Sequence, residues 1–255
     1  MDLNNINSNI LIHAGGKCAS HRLMDLLILN NANLTVQVPG KNIPFFEPNY
    51  VEHWKLDPNE RTKDLNSINQ QGKYWLLKTG GVPLYVYHME NIFDNITEIG
   101  LVRENISDSV ASYLLAFLNN WLFHIHTSEQ ILEISNREDE FIDMLQSHPK
   151  IQQVLNQSFH ATISFTLNIL TLRQTRNFPI YTYDQISLNP ESLFDDCGNH
   201  TVIFDQSAIS KPIPRLKTPE LPEFREALNP MLNELIKDEM IESLNLIAPS
   251  GITFI

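Results

Sequence analysis

The segment Asn9 to His13, reading NILIH, does most to limit what this chain can become. Five residues with almost no polar face, closed by Ala14-Gly15-Gly16, suit a strand buried on both sides. From Ser20 the period changes, with Leu23, Leu26 and Leu27 at helical spacing. Strand, glycine-rich loop and helix in that order form the βα unit of a nucleotide-binding fold.

The pattern recurs. Leu34 to Val38 (LTVQV) reads as a second strand and Tyr74 to Leu77 (YWLL) as a third, which Lys78-Thr79-Gly80-Gly81 follows. Ile99 to Val102 (IGLV) and Phe178 to Tyr183 (FPIYTY) complete the set. Helical spacing runs through SVASYLLAFLNNWLFHIH after an expected N-cap at Asn105 with Asp108 as its acid, over Phe141 to Leu172, and from Pro222 to Leu246. In the last of these Phe224, Leu228, Leu232, Leu235 and Ile236 share a face. Asp184 to Phe194 reads as a loop that re-enters helix after Pro190, and residues 39–72, rich in proline, as loops and short helices over a site. Alternating strands and helices predict an α/β fold in a single domain over residues 1–255, with a mostly parallel central sheet flanked by helices. The polar residues 1–8 are expected to fray.

Composition narrows the function. The 255 residues are 42% hydrophobic and 19% charged, enough for a sizeable core. A net charge of −12 argues against a nucleic-acid binder, which needs a basic surface to displace counterions. Two cysteines, Cys18 and Cys197, make no disulfide framework. With neither a signal-peptide pattern nor a long apolar run, the expectation is a cytoplasmic protein without membrane attachment.

Two segments point to an anion. A glycine-rich loop that feeds a helix presents unpaired backbone N–H groups at the positive end of the helix dipole. Here Gly15, Gly16, Cys18 and Ala19 supply the loop backbone, Lys17 a cation and Ser20 a hydroxyl. The spacing is neither GxxxxGK[ST] nor GxGxxG. In the second segment, IGLVRENISDSVASYL, Arg103 closes a buried strand where open α/β sheets bind ligands. Its planar fork suits a phosphate, with Ser109 or Ser112 as a second donor.

In this order the segments resemble the sulfotransferases that use 3′-phosphoadenosine 5′-phosphosulfate (PAPS). GKCASHRL is similar to the family's PKSGTTWL loop and LVRENISDSVASY to its VRNPxDxxVSxY motif. LLKTGGVPLYV resembles the strand and KTHLP turn, YTYDQISLNPESLF the YEDLxxDPxxxL element, and PELPEFREALNPMLNELI the late helix. The resemblance implies a P-loop-like sulfotransferase architecture and transfer of a sulfuryl group from PAPS to a hydroxyl or amine of a small molecule or saccharide. It implies that residues 15–20 hold the 5′-phosphosulfate with His21 touching phosphate, that Arg103 and Ser112 hold the 3′-phosphate, and that Tyr183 and Arg22 flank the nucleotide. Lys17 would neutralise the leaving oxygen, Lys78 would assist, and no metal is called for.

The sequence departs from the family at four points. Ala19 replaces a usual glycine, Arg103 and Ser112 lie nine apart instead of eight, Gly80 replaces the KTH histidine, and no late basic-glycine loop stands out. Lys211, Arg215 and Lys217 are candidates for that loop. Glu47 and His53 are the leading candidates for a general base, with His13 and His88 behind them. The missing histidine keeps open a nucleotide-binding protein without chemistry. A small-molecule kinase is a weaker alternative, since it needs a true triphosphate loop.

Overall fold

The structure is a computed structural model that describes residues 7–15, 18–20, 23–24, 27–28, 31, 33–36, 39–40, 58–79, 93–119, 128–187 and 221–255. Its strands are β1 (Asn9–Ala14), β2 (Leu34–Thr35), β3 (Tyr74–Thr79), β4 (Ile96–Val102) and β5 (Ile180–Thr182). Its helices are α1 (Pro58–Asn69), α2 (Ile106–Leu118), α3 (Ser128–Ser135), α4 (Glu138–Ser147), α5 (Ile151–Arg176), α6 (Tyr183–Ser187), α7 (Pro222–Leu235) and α8 (Asp238–Ile247). In addition, Ser20, Leu23, Met24, Leu27 and Ile28 are helical, as the spacing after β1 predicts.

The strands form one five-stranded sheet in the order β2-β3-β1-β4-β5, and each neighbouring pair is parallel. The expected α/β class, a parallel sheet flanked by helices, is the one observed. β1 lies at the centre with all six residues buried, which is why NILIH has no polar face. The chain leaves β1 for β2 and β3 on one side and reaches β4 and β5 on the other, so the switch point lies at the carboxyl end of β1.

α5 packs along β1 and β4. A side chain at Gly100 of β4 would meet Ile180 of β5 at 2.8 Å, Phe178 just before it at 2.9 Å and Ile169 of α5 at 3.2 Å. A polar chain crosses the sheet beneath. Arg176, at the end of α5, grips Glu98 of β4; Glu98 Oε2 bonds His13 Nε2 at 2.7 Å, and His13 Nδ1 bonds Thr79 Oγ1 at 3.0 Å. His13 and Thr79 are fully buried, so each needs such a partner.

Several boundaries differ from the sequence reading. Lys78 and Thr79 belong to β3, paired with Ile12 and His13, instead of opening a turn. Within the stretch read as loops and short helices, Pro58–Asn69 is a regular helix. α2 ends at Leu118, with Asn119 as its C-cap, where a helix through His126 was expected. The helix expected over 141–172 is two, α4 and α5, separated at His148 (ψ 123°) because Pro149 disfavours helical geometry in the residue before it. Asp184 lies within α6, not in a loop. The last helix also divides, at Ile236 and Lys237, although Phe224, Leu228 and Leu232 share the buried face as predicted. Ser8, expected to fray, shares a 2.7 Å hydrogen bond with Thr97.

Candidate functional site

The carboxyl edge of the sheet collects the candidate residues by topology. β1 delivers Gly15, Cys18, Ala19 and Ser20; β3 delivers Lys78; β4 delivers Arg103; β5 delivers Tyr183. Gly16, Lys17, His21, Arg22, Glu47, His53, Gly80, His88, Lys211, Arg215 and Lys217 lie outside the described residues.

The loop after β1 is held tightly. A side chain at Gly15 would lie 3.1 Å from Phe165 Cβ on α5, so glycine lets the helix pack against the strand end. Ala19 adopts φ 58°, the left-handed conformation that glycine tolerates best. The loop keeps its glycine-like path with an alanine in place, and the Ala19 carbonyl accepts the Leu23 N–H at 3.0 Å as the helix begins. Cys18 is buried, and burial pushes its thiol up from its ordinary value. The positive charges of Lys78 and Arg103, with backbone hydrogen bonds at Gly15 and Arg103, act in the opposite direction. Cys18 and Arg103 line one cavity, and the Lys78 charge is near enough to act on the thiol.

Arg103 has the most developed geometry. Asn105 caps α2 by accepting the Asp108 N–H at 2.8 Å, as its position predicts. That cap sets the helix phase, which places Asp108 and Ser112 one turn apart on the side facing Arg103. Arg103 Nη1 donates to Ser112 Oγ at 3.1 Å and Nη2 to Asp108 Oδ2 at 3.2 Å. Its guanidinium carbon lies 4.1 Å from the centre of the Tyr183 ring, a cation–π stack. The nine-residue spacing therefore still brings Ser112 to the arginine. Ser109 faces inward, fully buried, with Oγ 3.4 Å from Thr162 Oγ1. A small cavity under the loop is lined by Gly15, Cys18, Arg103, Ser109, Thr162 and Thr166.

The turn that carries Arg103 is braced from the far end of the chain. Ile106 N donates to Ile255 O at 3.1 Å and Ile255 N to Glu104 O at 3.0 Å. Glu104 is itself held above the ordinary carboxylate value, first by burial and also by the like charge of Asp184.

Two features escape a reading of the sequence. Arg225 of α7 pairs with Asp108 Oδ1 at 2.8 Å, joining the group around Arg103. A cation in the first turn of a helix opposes the helix dipole, and that was the one signal that could have marked it. His13, a candidate base, is fully buried with both ring nitrogens engaged, and it has a structural place in the sheet instead. Among the described residues no cluster of three or more His, Cys, Asp or Glu could hold a metal ion. Among the same residues, no helix is long and apolar enough to cross a membrane.

Fold and site define a parallel α/β protein with cationic side chains gathered at the switch point of its sheet. Among solved structures, a sulfotransferase domain from the Synechococcus PCC 7002 olefin synthase is similar to this chain, with a TM-score of 0.46 and 13% identity over 98% of this chain and 91% of that one. No protein-family model matches the chain, and no curated protein does.

Proposed function

We propose that this protein is a sulfotransferase that moves a sulfuryl group from PAPS to a hydroxyl or amine of a small molecule or saccharide. The observation that carries the reading is the Arg103 assembly. A guanidinium at the end of β4, bonded to Ser112 and stacked on Tyr183, shares the environment of Cys18 with Lys78 and the loop after β1. In a chain of net charge −12, cations concentrated at a switch point favour an anionic ligand.

PAPS supplies the activated sulfuryl group. The residues fit it in type: Arg103 and Ser112 for the 3′-phosphate, Tyr183 and Arg22 beside the nucleotide, and residues 15–20 with His21 for the 5′-phosphosulfate. Lys17 and Lys78 stabilise negative charge on the phosphate oxygen as the S–O bond breaks. Glu47 or His53 takes the acceptor's proton. No metal takes part in this scheme, and the protein works in the cytoplasm without nucleic acid or membrane.

A second reading, nucleotide binding without transfer, is favoured by Gly80 in place of the KTH histidine. The test is transfer of radiolabelled sulfuryl from PAPS to a panel of hydroxyl and amine acceptors, alongside calorimetric titration with adenosine 3′,5′-bisphosphate. Transfer that Lys17→Ala abolishes supports the enzyme. Bisphosphate binding with no transfer to any acceptor supports the second reading, and absence of both refutes the assignment.

A further inference from the structure

We propose that residues 252–255 are a positioning element for the anion site: their backbone sets the turn that aims Arg103, and docking of this segment is coupled to occupancy of the site. The proposal rests on the reading of Arg103 as a ligand for the nucleotide. It assigns the coupling to main-chain groups, with Phe254 as the anchor that holds them in place.

After α8 the Ile252 N–H donates to Pro249 O at 3.2 Å and closes a turn in which Gly251 takes φ 91°. ITFI then alternates in exposure as an extended segment does: Ile252 is half-buried, Thr253 exposed, Phe254 buried and Ile255 exposed. Phe254 is the anchor, with only 1% of its surface exposed. Asn245 of α8 pins its backbone on both sides, accepting the Phe254 N–H at 2.7 Å and donating to Phe254 O at 3.1 Å. The Ile255 side chain is left at the surface, 66% exposed, so what this residue offers the fold is its main chain.

That main chain meets the Arg103 turn twice. Ile255 N donates to Glu104 O at 3.0 Å, and Ile255 O accepts from Ile106 N at 3.1 Å. Ile106 opens α2, and a first-turn N–H has no acceptor within its own helix. Asn105 serves the Asp108 N–H, so one cap comes from the turn and the other from the segment. α2 carries Ser112 and Asp108 to Arg103, so its point of entry places both partners of the fork. A third tie runs through the Glu104 carboxyl, which hydrogen-bonds the Thr253 backbone and the Thr182 side chain. Thr182 precedes Tyr183, whose ring stacks on Arg103. The segment thus holds the end of β4, the start of α2 and the end of β5. Arg103, its hydroxyl partner and its aromatic support come from those three places, and an anion at Arg103 needs them in register. By linkage, a segment that favours the binding geometry is itself held more firmly when the anion is bound.

The experiment is calorimetric titration of the full chain with adenosine 3′,5′-bisphosphate, run well below the melting temperature so that only folded molecules are read. Ile255→Pro removes the N–H that reaches Glu104 O, and it is expected to weaken binding about fivefold or more, the range of couplings between linked sites. Ile255→Ala trims an exposed side chain and keeps the N–H, and it is expected to bind as the parent does. A brace that serves stability alone would lower Tm in Ile255→Pro and leave its affinity at the parent value. That result overturns the proposal and leaves the sulfotransferase reading standing. Equal losses of affinity in Ile255→Pro and Ile255→Ala overturn it too, because the main chain is then not the cause. If the parent protein does not bind the bisphosphate, the reading beneath fails and the proposal with it. Should Ile255→Pro not fold by circular dichroism, amide hydrogen exchange of the parent decides: slower exchange at Ile255 and Ile106 with bisphosphate present upholds the proposal, and unchanged exchange overturns it.

Discussion

Replacement of Arg103 by lysine separates the shape of the side chain from its charge. The native guanidinium makes two directed bonds, to Ser112 at 3.1 Å and Asp108 at 3.2 Å, and stacks 4.1 Å from the Tyr183 ring centre. Lysine keeps the charge but has no planar fork. In the free protein the Asp108 contact is partly exposed, so its loss costs about 1 kcal/mol or less after solvent screening. The lost stack adds about 0.5–1 kcal/mol. The sum, about 0.5–2 kcal/mol, lowers Tm by roughly 1–8 °C for a chain of this size. Ligand binding should suffer more. A phosphate held by both arms of the fork loses one charge-assisted hydrogen bond, about 1.5–3 kcal/mol, or roughly 10- to 150-fold in Kd. Calorimetric titration with adenosine 3′,5′-bisphosphate reads the second effect and a thermal melt the first. Affinity within twofold of the parent, with the predicted drop in Tm, would show that the fork is built for the fold and not for the ligand.

Gly100→Ala should destabilise the protein by about 1–3 kcal/mol in urea, because the added methyl group meets Ile180 at 2.8 Å and Phe178 at 2.9 Å. An unchanged midpoint would mean that α5 and β5 move apart freely. Ala19→Gly should raise stability by about 0.5–1 kcal/mol, since φ 58° strains alanine by more than the entropy glycine loses on folding; a loss of stability would refute the strain. Glu104→Gln should raise Tm at pH 7. The folded protein holds the Glu104 proton more tightly than the unfolded chain, so this group's contribution falls as pH rises from about its ordinary 4.5 through the higher folded value. The advantage of glutamine should vanish in melts below that ordinary value, and a Tm difference that does not change with pH would reject the linkage.

Much of the architecture is legible because it is written locally. NILIH before two glycines can hardly be anything but a central strand, and the Asn105 cap follows from a side chain reaching an N–H three residues on. The Ser112 contact was half legible. Its helix could be read, but whether a nine-residue spacing reaches Arg103 depends on the helix phase relative to the strand end. The break at Ile236 and Lys237 carries no proline or glycine of its own, and the helical period runs through it.

By itself the sequence determined the five strands, the parallel class of the sheet and the glycine-rich entry to the first helix. These depend on side-chain period, backbone freedom and capping, all properties of neighbours in the chain. Only the tertiary structure decided that Cys18 and Arg103 line one cavity, that His13 is walled in by Glu98 and Thr79, and that Arg225 meets Asp108. Those meetings join residues tens to more than a hundred positions apart. Charge and burial act across space, and no local period records them.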